Sequence, residues 1–282
     1  MYALWPRALS GYYDQCNPSE LSKEQVLDYL VYLQQERELN PSTVNQALRA
    51  LKTYYLKHLG LKWRIWSTIK IKKIDPLPEV LSRAEVERLL GTFRDGRYRA
   101  FFTVVYQCGL RLQEARHIRP KDINKERMVI RVRVTKGGME REVPIARDLL
   151  ERLRVYWSSH RNPEWLFPGV GQGRLETGMS LREALHECQS PIHPGVLYTA
   201  FGSAKHECGL MKTHERVTIH MLRHSFATHM LEAGCSLKQL SAYLGHKDLR
   251  STMVYLHLTE VSETKGREAL ETLATGKQKR RT

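Results

Sequence analysis

The chain has 282 residues, 41% of them hydrophobic, so it is long enough and apolar enough for one large domain or two modest ones. Lys and Arg outnumber Asp and Glu by 45 to 30, and the formal charge of +15 indicates a polyanionic partner, with nucleic acid as the leading candidate. Charge alone leaves open a basic enzyme with another substrate.

The sequence also argues against a membrane or secreted protein. No segment approaches the roughly 20 apolar residues of a spanning helix. Residues 1–7 lack the charged leader and apolar run of a signal peptide. The five cysteines are odd in number and contain no Cys-x-x-Cys pair, which indicates reduced thiols. We therefore expect a cytoplasmic protein with no membrane partner.

Two amphipathic helices are predicted near the start of the chain. Ser22 and Gln25 have the spacing of a capping box, and apolar residues follow at helical intervals over residues 26–33. A second apolar stripe covers residues 44–59 after Pro41, and Gly60 is a natural stop for this helix. These patterns predict a small helical domain at the front of the chain.

Residues 62–73 then alternate basic and apolar side chains. Either this segment is exposed and meets phosphates, or Trp63 and Trp66 pack it into the first domain, and both can hold at once. The stretch Asp-Pro-Leu-Pro at 75–78 indicates a linker, so we predict domains at 1–74 and 77–282. The candidate DNA-binding residues in this segment are Lys62, Arg64, Lys70, Lys72 and Lys73.

The second domain is predicted to be mostly helical with one β-hairpin. Ser82 and Glu85 form another capping box, and an apolar helix over 100–108 ends at Gly109. Alternating side chains over 128–134, a turn at Gly137-Gly138 and a return over 141–145 predict two antiparallel strands. Further helices are predicted at 147–159, 197–209, 219–232, 237–244 and 262–273.

Basic residues recur at spacings that suit an active site around one tyrosine. Arg111 begins a predicted helix, and Glu114 lies three residues later, where it can face the arginine. His220 and Arg223 are also three residues apart and so share one helix face. The other candidates are Lys136 at the tip of the hairpin, His246 at the end of a short helix, and Tyr255 nine residues further on.

This set suits transesterification of a phosphodiester. Two arginines can clamp the nonbridging oxygens with forked hydrogen bonds. A tyrosine, with a pKa of about 10, is a poor nucleophile unless it is assisted, and His220 can take or hold its proton. Lys136 can protonate the departing 5′ oxygen, and His246 can donate a hydrogen bond to the phosphate. The sequence has neither a phosphate-binding loop nor a carboxylate cluster, so no cofactor or metal is predicted.

These motifs resemble those of the tyrosine recombinase family, which includes phage integrases, Xer recombinases and integron integrases. The similarity rests on residues 109–114, 135–138, 220–229 and 244–255, and it extends to Asn-Pro-Ser-Thr-Val-Asn at 40–45. The residue types that the family uses for catalysis all occur here in order, at Arg111, Lys136, His220, Arg223, His246 and Tyr255.

The resemblance implies a mainly α fold with a small antiparallel β-sheet. An N-terminal helical, SAM-like, DNA-clamping domain would precede the catalytic domain. It further implies a site-specific recombinase or integrase that forms a 3′-phosphotyrosine at Tyr255 without a cofactor. The implied partner is double-stranded DNA with specific recombination sites. On two such sites the protein would act as a homotetramer, and free in solution it would be a monomer.

Other functions and sites stay open at this stage. A type IB topoisomerase uses similar chemistry, and a DNA-binding accessory protein would lack catalysis altogether. His186-Glu187-Cys188 and His206-Glu207-Cys208 repeat, with His193 and His214 nearby, and could supply four zinc ligands. The stretch over 169–194 is longer than a minimal catalytic domain needs, and its role is unassigned. The predicted tail helix at 262–273 either packs in the core or packs onto a neighbouring subunit.

Overall fold

The computed structural model describes residues 4–69, 71, 77–133, 140–170, 178–246 and 248–256. The chain divides into two compact units, residues 1–76 and 77–282. Helices dominate both units, and the described strands form one three-stranded antiparallel sheet. Within the described ranges, no helix combines the length and apolar character needed to cross a membrane. The mainly α fold with a small antiparallel sheet, predicted from the sequence, is confirmed.

The first unit is built from helices. The predicted capping box is present, since the Ser22 hydroxyl accepts a hydrogen bond from the Gln25 amide at 3.3 Å and the Gln25 side chain accepts one from the Ser22 amide at 2.9 Å. A helix before this point was not predicted. The helices are α1 (Leu4–Tyr12), α2 (Lys23–Gln35), α3 (Pro41–Thr53), which continues into a π-helical turn (Tyr54–His58), and α4 (Ile65–Thr68).

Tyr55 is at the centre of this unit. Its side chain is fully buried, its hydroxyl donates to the carbonyl of Pro18 at 2.6 Å, and its ring stacks on Trp63 at 4.5 Å. Trp66 is buried in the same cluster. The prediction that the tryptophans pack into the first unit is therefore confirmed. The basic side chains beside them, Lys62 and Arg64, are exposed, whereas Lys70, Lys72 and Lys73 lie outside the described residues.

The second unit begins with the other predicted capping box. Glu85 accepts from the Ser82 amide at 2.9 Å, and the Ser82 hydroxyl accepts from the Glu85 amide at 3.3 Å. Its helices are α5 (Arg83–Thr92), α6 (Gly96–Gln107), α7 (Leu112–Arg116), α8 (Arg147–Ser158), α9 (Leu181–Glu187), α10 (Pro194–Glu207), α11 (Ile219–Glu232), α12 (Leu237–Leu244) and α13 (Arg250–Met253). The tail helix predicted at 262–273 lies outside the described residues.

The sheet consists of β1 (Ile123–Asn124), β2 (Val129–Val132) and β3 (Arg141–Pro144), in that order. Ile130 pairs with Val143, and both side chains are buried, whereas Arg131 between two buried positions is exposed. This alternation is the one that the sequence predicts, and the two long strands are antiparallel as expected. The predicted turn at Gly137-Gly138 and Lys136 at the hairpin tip lie outside the described residues.

The apolar core of the second unit is centred on α6. Phe101 and Phe102 are fully buried, and they pack against Phe167 and Phe201 from distant parts of the chain, with ring centroids 5.1 and 5.3 Å apart. Burying one such side chain contributes roughly 1.5–3 kcal/mol to the free energy of folding. The core therefore fixes α6, and with it the loop at Gly109 that leads to the candidate site.

The long stretch over 169–194 is partly anchored by Asn162. The Asn162 side-chain amide donates to the carbonyls of Leu185 and Cys188, each at 2.8 Å, and its own oxygen accepts from the Trp165 amide at 2.7 Å. The asparagine is buried, with 1% of its surface exposed. A buried amide with these bonds satisfied holds α9 onto the rest of the unit. The described residues around α9 are thus built into the second unit.

Candidate active site

Arg223 is the buried centre of the candidate site. It lies on α11, and only 1% of its surface is exposed. Its guanidinium donates to the carbonyl of Gly109 at 2.6 Å and to the carbonyl of Leu244 at 2.7 Å. Burial and the neighbouring charge of Arg111 lower the pKa of Arg223 to about 10, so the group stays cationic at neutral pH. A fixed cation is thereby held between the ends of two helices.

Gly109 makes this arrangement possible. The residue follows α6 in a left-handed conformation with φ of +58°, which glycine adopts without steric cost. A Cβ atom at this position would collide with the ring of Phe226 and approach Leu244 to 3.0 Å. The turn ends α6, presents its carbonyl to Arg223, and leads directly into α7 with Arg111 at its start.

Arg111 and Glu114 contact each other as predicted. The Glu114 carboxylate accepts from the Arg111 amide at 2.8 Å and from its guanidinium at 2.9 Å. The Arg111 side chain is 43% exposed, whereas that of Glu114 is 6% exposed. Glu114 therefore orients an arginine that remains open to an incoming anion.

A third arginine completes the group, and it was missed by the sequence reasoning. Arg141 on β3 forms two hydrogen bonds to Glu114 at 3.1 and 2.8 Å and a third to the carbonyl of Tyr243 at 2.6 Å. Burial alone would raise the pKa of Glu114, but Arg141 and Arg111 outweigh it and lower that pKa to about 2. One carboxylate thus stands among three guanidinium groups, and the site carries a net positive charge.

His246 joins the same group. Its Nε2 lies 3.0 Å from Nη2 of Arg223, and its Nδ1 lies 2.8 Å from the hydroxyl of Thr252, which is fully buried. Since arginine can only donate, Nε2 accepts and the ring hydrogen is on Nδ1, directed at Thr252. Burial, and after it the charges of Arg223 and Arg111, lower the pKa of His246 to about 4, so the ring is neutral at neutral pH.

Tyr255 follows α13 and is buried, with 4% of its surface exposed. Its hydroxyl lies 2.8 Å from Nδ1 of His224, the residue after Arg223 on α11. Burial raises the pKa of Tyr255, and the positive charges of Arg223 and Arg111 act in the opposite direction. The predicted nucleophile is therefore within the electrostatic influence of both predicted phosphate-binding arginines.

His220 is exposed and lies one helical turn before His224. The two rings meet edge to face with centroids 4.7 Å apart. Desolvation by the neighbouring groups and the charges of Arg223 and Arg111 lower the pKa of His220. His220 thus reaches Tyr255 through His224, and this intermediate residue was not singled out from the sequence. The i, i+4 spacing of the two histidines was the signal that could have indicated it.

The predicted residues fall into two groups in the structure. One group is brought together by hydrogen bonds and ring contacts in the second unit. Lys136 belongs to neither group, because it lies outside the described residues. Lys62 and Arg64 belong to the first unit and are exposed. The residues that are brought together are Arg111, Glu114, His220, Arg223, His246 and Tyr255.

The alternative zinc ligands are engaged in local contacts. His193 accepts a hydrogen bond from the Gly195 amide at 3.1 Å at the start of α10, and Nε2 of His214 lies 3.1 Å from Glu85. Nδ1 of His186 lies 3.0 Å from the carbonyl of His160. Across the described ranges, no three His, Cys, Asp or Glu side chains form a group that could hold a metal ion.

Comparison with protein families gives two matches. Residues 79–261 match the model described as the phage integrase family, and residues 1–65 match the model described as the phage integrase N-terminal SAM-like domain. Among curated proteins, the integrase/recombinase y4qK of Sinorhizobium fredii is 36% identical over 86% of this chain and 72% of its own length. The tyrosine recombinase XerA of Thermococcus onnurineus is 30% identical over 85% of this chain and 79% of its own.

Several solved structures with the same fold contain DNA. XerH recombinase bound to a palindromic difH substrate, in a post-cleavage complex, aligns with a TM-score of 0.67 and 20% identity over 96% of this chain and 79% of that one. A lambda integrase tetramer bound to a Holliday junction aligns with a TM-score of 0.68 and 15% identity over 90% of this chain and 70% of that one. At these identities the likeness concerns the fold.

Proposed function

The chain belongs to the phage integrase family of tyrosine recombinases, and we propose that it cleaves and rejoins DNA by transesterification at Tyr255. The family predicted from the sequence is thereby confirmed. The observation that carries the residue assignments is the placement of Tyr255 beside α11, where its hydroxyl contacts the residue next to the buried Arg223. The proposed nucleophile thus contacts the turn of α11 that carries the buried Arg223.

In the proposed reaction, the scissile phosphate binds between Arg111 and Arg223, whose donors favour the added charge of a pentavalent transition state. The Tyr255 oxygen attacks phosphorus, the bond to the 5′ oxygen breaks, and a 3′-phosphotyrosine forms. Lys136 is proposed to protonate the departing 5′ oxygen. One phosphoester replaces another, so the reaction needs neither a hydrolytic water nor a high-energy cofactor.

His246 has a conditional role in this scheme. Its Nε2 accepts from Arg223 in the structure and so offers no hydrogen to a phosphate. When the phosphate accepts the hydrogen bond that Arg223 donates to Nε2, this nitrogen is released. The negative charge of the phosphate then favours a proton on Nε2. His246 then donates to a nonbridging oxygen, while Thr252 keeps the ring in place. Phosphate binding and the activation of His246 are therefore coupled in this proposal.

The same scheme extends to strand exchange. The 5′-hydroxyl released at one site attacks the phosphotyrosine at a partner site, so recombination requires several active sites on two DNA duplexes. The lambda integrase with this fold is a tetramer on a Holliday junction. We propose the same assembly on double-stranded DNA here, with a monomer before DNA is bound. Since DNA is the substrate, we place the reaction in the cytoplasm.

The unit formed by residues 1–74 is proposed to clamp the duplex, and residues 77–282 to carry the chemistry. Lys62 and Arg64 project from the first unit as exposed cations next to its packed tryptophans. Such side chains contact phosphates and release counterions, and this contributes affinity without reading sequence. From the sequence we propose the same task for Lys70, Lys72 and Lys73, which lie outside the described residues.

The test is covalent capture on a pool of nicked duplexes with a randomised central segment. A nick near the cleavage point lets the 5′ fragment diffuse away, so that the protein–DNA adduct accumulates. We expect a band that survives denaturation, disappears with protease, and is absent from Tyr255→Phe. Tyr243→Phe is the matched control, since the half-buried Tyr243 binds Arg141 only through its backbone carbonyl.

The outcomes separate the alternative functions. If the chain is a non-catalytic accessory protein, neither the wild type nor Tyr255→Phe forms an adduct. A type IB topoisomerase forms the adduct but relaxes supercoiled plasmid without joining two duplexes, whereas a recombinase joins duplexes that carry the selected sequence. An adduct that persists in Tyr255→Phe would falsify the assignment of the nucleophile.

A further inference from the structure

His224 contacts the reacting atom of the proposed nucleophile. Its Nδ1 lies 2.8 Å from the Tyr255 hydroxyl, and its ring packs against the phenol with centroids 5.6 Å apart. We propose that His224 is the catalytic base that receives the phenolic proton when Tyr255 attacks phosphorus. This inference rests on the proposed function, and it moves to His224 a task that the sequence assigned to His220.

The position of His224 is fixed by its helix. Residues 219–232 form α11, in which Arg223 is buried and its neighbour His224 is half-buried. Nδ1 accepts the phenolic hydrogen when the ring hydrogen is on Nε2, and this is the tautomer that the proposal requires. His220 supports the ring edge to face at 4.7 Å from the preceding turn. The ring is therefore held at hydrogen-bond distance from the nucleophile.

The charged groups around His224 keep it ready to accept a proton. The charges of His220 and Arg223 act on it from α11, Tyr255 contacts it from the segment after α13, and Arg111 acts on the same phenol. Burial, and then His220 and Arg223, lower the pKa of His224 to about 4, so the ring is unprotonated at neutral pH. A phosphate bound between the arginines would offset their charge and strengthen the base when substrate is present.

Proton transfer is coupled to bond formation. Burial raises the pKa of Tyr255, so the free phenol does not give up its proton to His224 before the attack. As the oxygen bonds to phosphorus it becomes an aryl ester oxygen, which is no longer basic. The phenolic proton then passes to Nδ1, the bond to the 5′ oxygen breaks, and that oxygen takes a separate proton. In the return step His224 gives its proton back to the Tyr255 oxygen.

The experiment measures single-turnover adduct formation on a nicked duplex recovered from the random pool, for His224→Ala and His224→Asn. Asn retains a hydrogen-bonding side chain but is not a base. A second duplex carries a 5′-bridging phosphorothiolate, whose thiolate leaves without being protonated, so the contribution of the general acid is removed. We expect adduct formation to slow by about 10²–10⁴-fold in both variants on both duplexes, the range for a general base.

Two readouts distinguish a base from a structural residue. The rates of both variants should rise as the pH approaches the range in which phenols ionise, and added imidazole should partly restore His224→Ala. Fluorescence anisotropy with the same duplex checks DNA binding, and thermal unfolding checks folding. If His224→Ala is unstable, His224→Asn serves as the smaller change.

Three results would overturn the inference. Adduct formation by His224→Asn at the wild-type rate would mean that the residue only orients the phenol. If adduct formation slows but the pH profile does not change and imidazole does not restore the rate, His224 has a structural role. Faster adduct formation in His224→Ala would mean that the contact restrains Tyr255. If the wild-type chain forms no adduct at all, the proposed function fails instead.

Discussion

Arg141 forms a two-pronged ion pair with Glu114, with its two terminal nitrogens 3.1 and 2.8 Å from the two carboxylate oxygens. The side chains are 12% and 6% exposed, so water screens this pair only weakly. Arg141 also donates to the carbonyl of Tyr243 on α12. A single residue of β3 therefore connects the hairpin, the carboxylate that orients Arg111, and the helix that ends before His246.

Removing Arg141 should destabilise the protein strongly. Arg141→Ala leaves the buried Glu114 carboxylate without one of the guanidinium groups that balance its charge. This lowers the free energy of unfolding by about 3 kcal/mol. For a unit of this size, the midpoint of thermal unfolding should fall by roughly 6–12 °C. Arg127→Ala is the matched control, because its pair with Glu142 bridges the same hairpin but Arg127 is 62% exposed. Equal shifts for the two variants would contradict the assigned role of the buried pair.

The Glu114 carboxylate should also determine the stability in acid. Its pKa is lowered from 4.5 to about 2, so its stabilisation is complete above pH 4.5 and is lost as the pH falls towards 2. Glu114→Gln removes the charge but keeps an acceptor. The midpoint of thermal unfolding should differ between wild type and this variant by a constant amount from pH 5 to 8, and the difference should shrink below pH 4.5. A difference that stays constant down to pH 2.5 would show that Glu114 does not titrate in this way.

The sequence predicts well what depends on neighbouring residues. The bounds of α11 and α12 agree with the predicted 219–232 and 237–244, because local apolar patterns and the Ser236–Gln239 capping box define them. The pairing of Arg111 with Glu114 was predicted for the same reason, since three residues separate them on one helical turn.

Contacts between distant segments were not predictable in this way. Arg141 lies 27 residues after Glu114, and the pair forms only when β3 packs near α7 and α12 in the folded unit. The elements that escaped prediction are α1, β1, α9 and α13. β1 has only two residues, too few for a period, and α1 has neither an acidic first turn nor a basic last turn to mark it. Of the missed site residues, Arg141 thus depends on tertiary structure, whereas His224 lies in a local motif with His220 on α11.

Substituting Gly109 should disturb both folding and the site. Gly109→Ala meets the cost of a left-handed backbone, roughly 1–2 kcal/mol, and a further roughly 1–3 kcal/mol because the Cβ collides with the buried Phe226. Gly209→Ala is the matched control, since Gly209 has φ of +74° but nothing within 4 Å of its Cβ position. Chemical unfolding should therefore show a larger loss for Gly109→Ala. Equal losses would mean that backbone strain alone matters at both positions.

Thr252 should control the rate of adduct formation through His246. Its fully buried hydroxyl lies 2.8 Å from Nδ1, and Thr252→Val keeps the shape but leaves the ring hydrogen without an acceptor. The freed ring misplaces Nε2 relative to Arg223 and the phosphate, so single-turnover adduct formation should slow by roughly 10–100-fold. Thr252→Ser retains the hydroxyl and should react within a few-fold of wild type. If Thr252→Val and Thr252→Ser form the adduct equally fast, the orientation of His246 does not limit the reaction. The proposed coupling between phosphate binding and His246 then has to be abandoned.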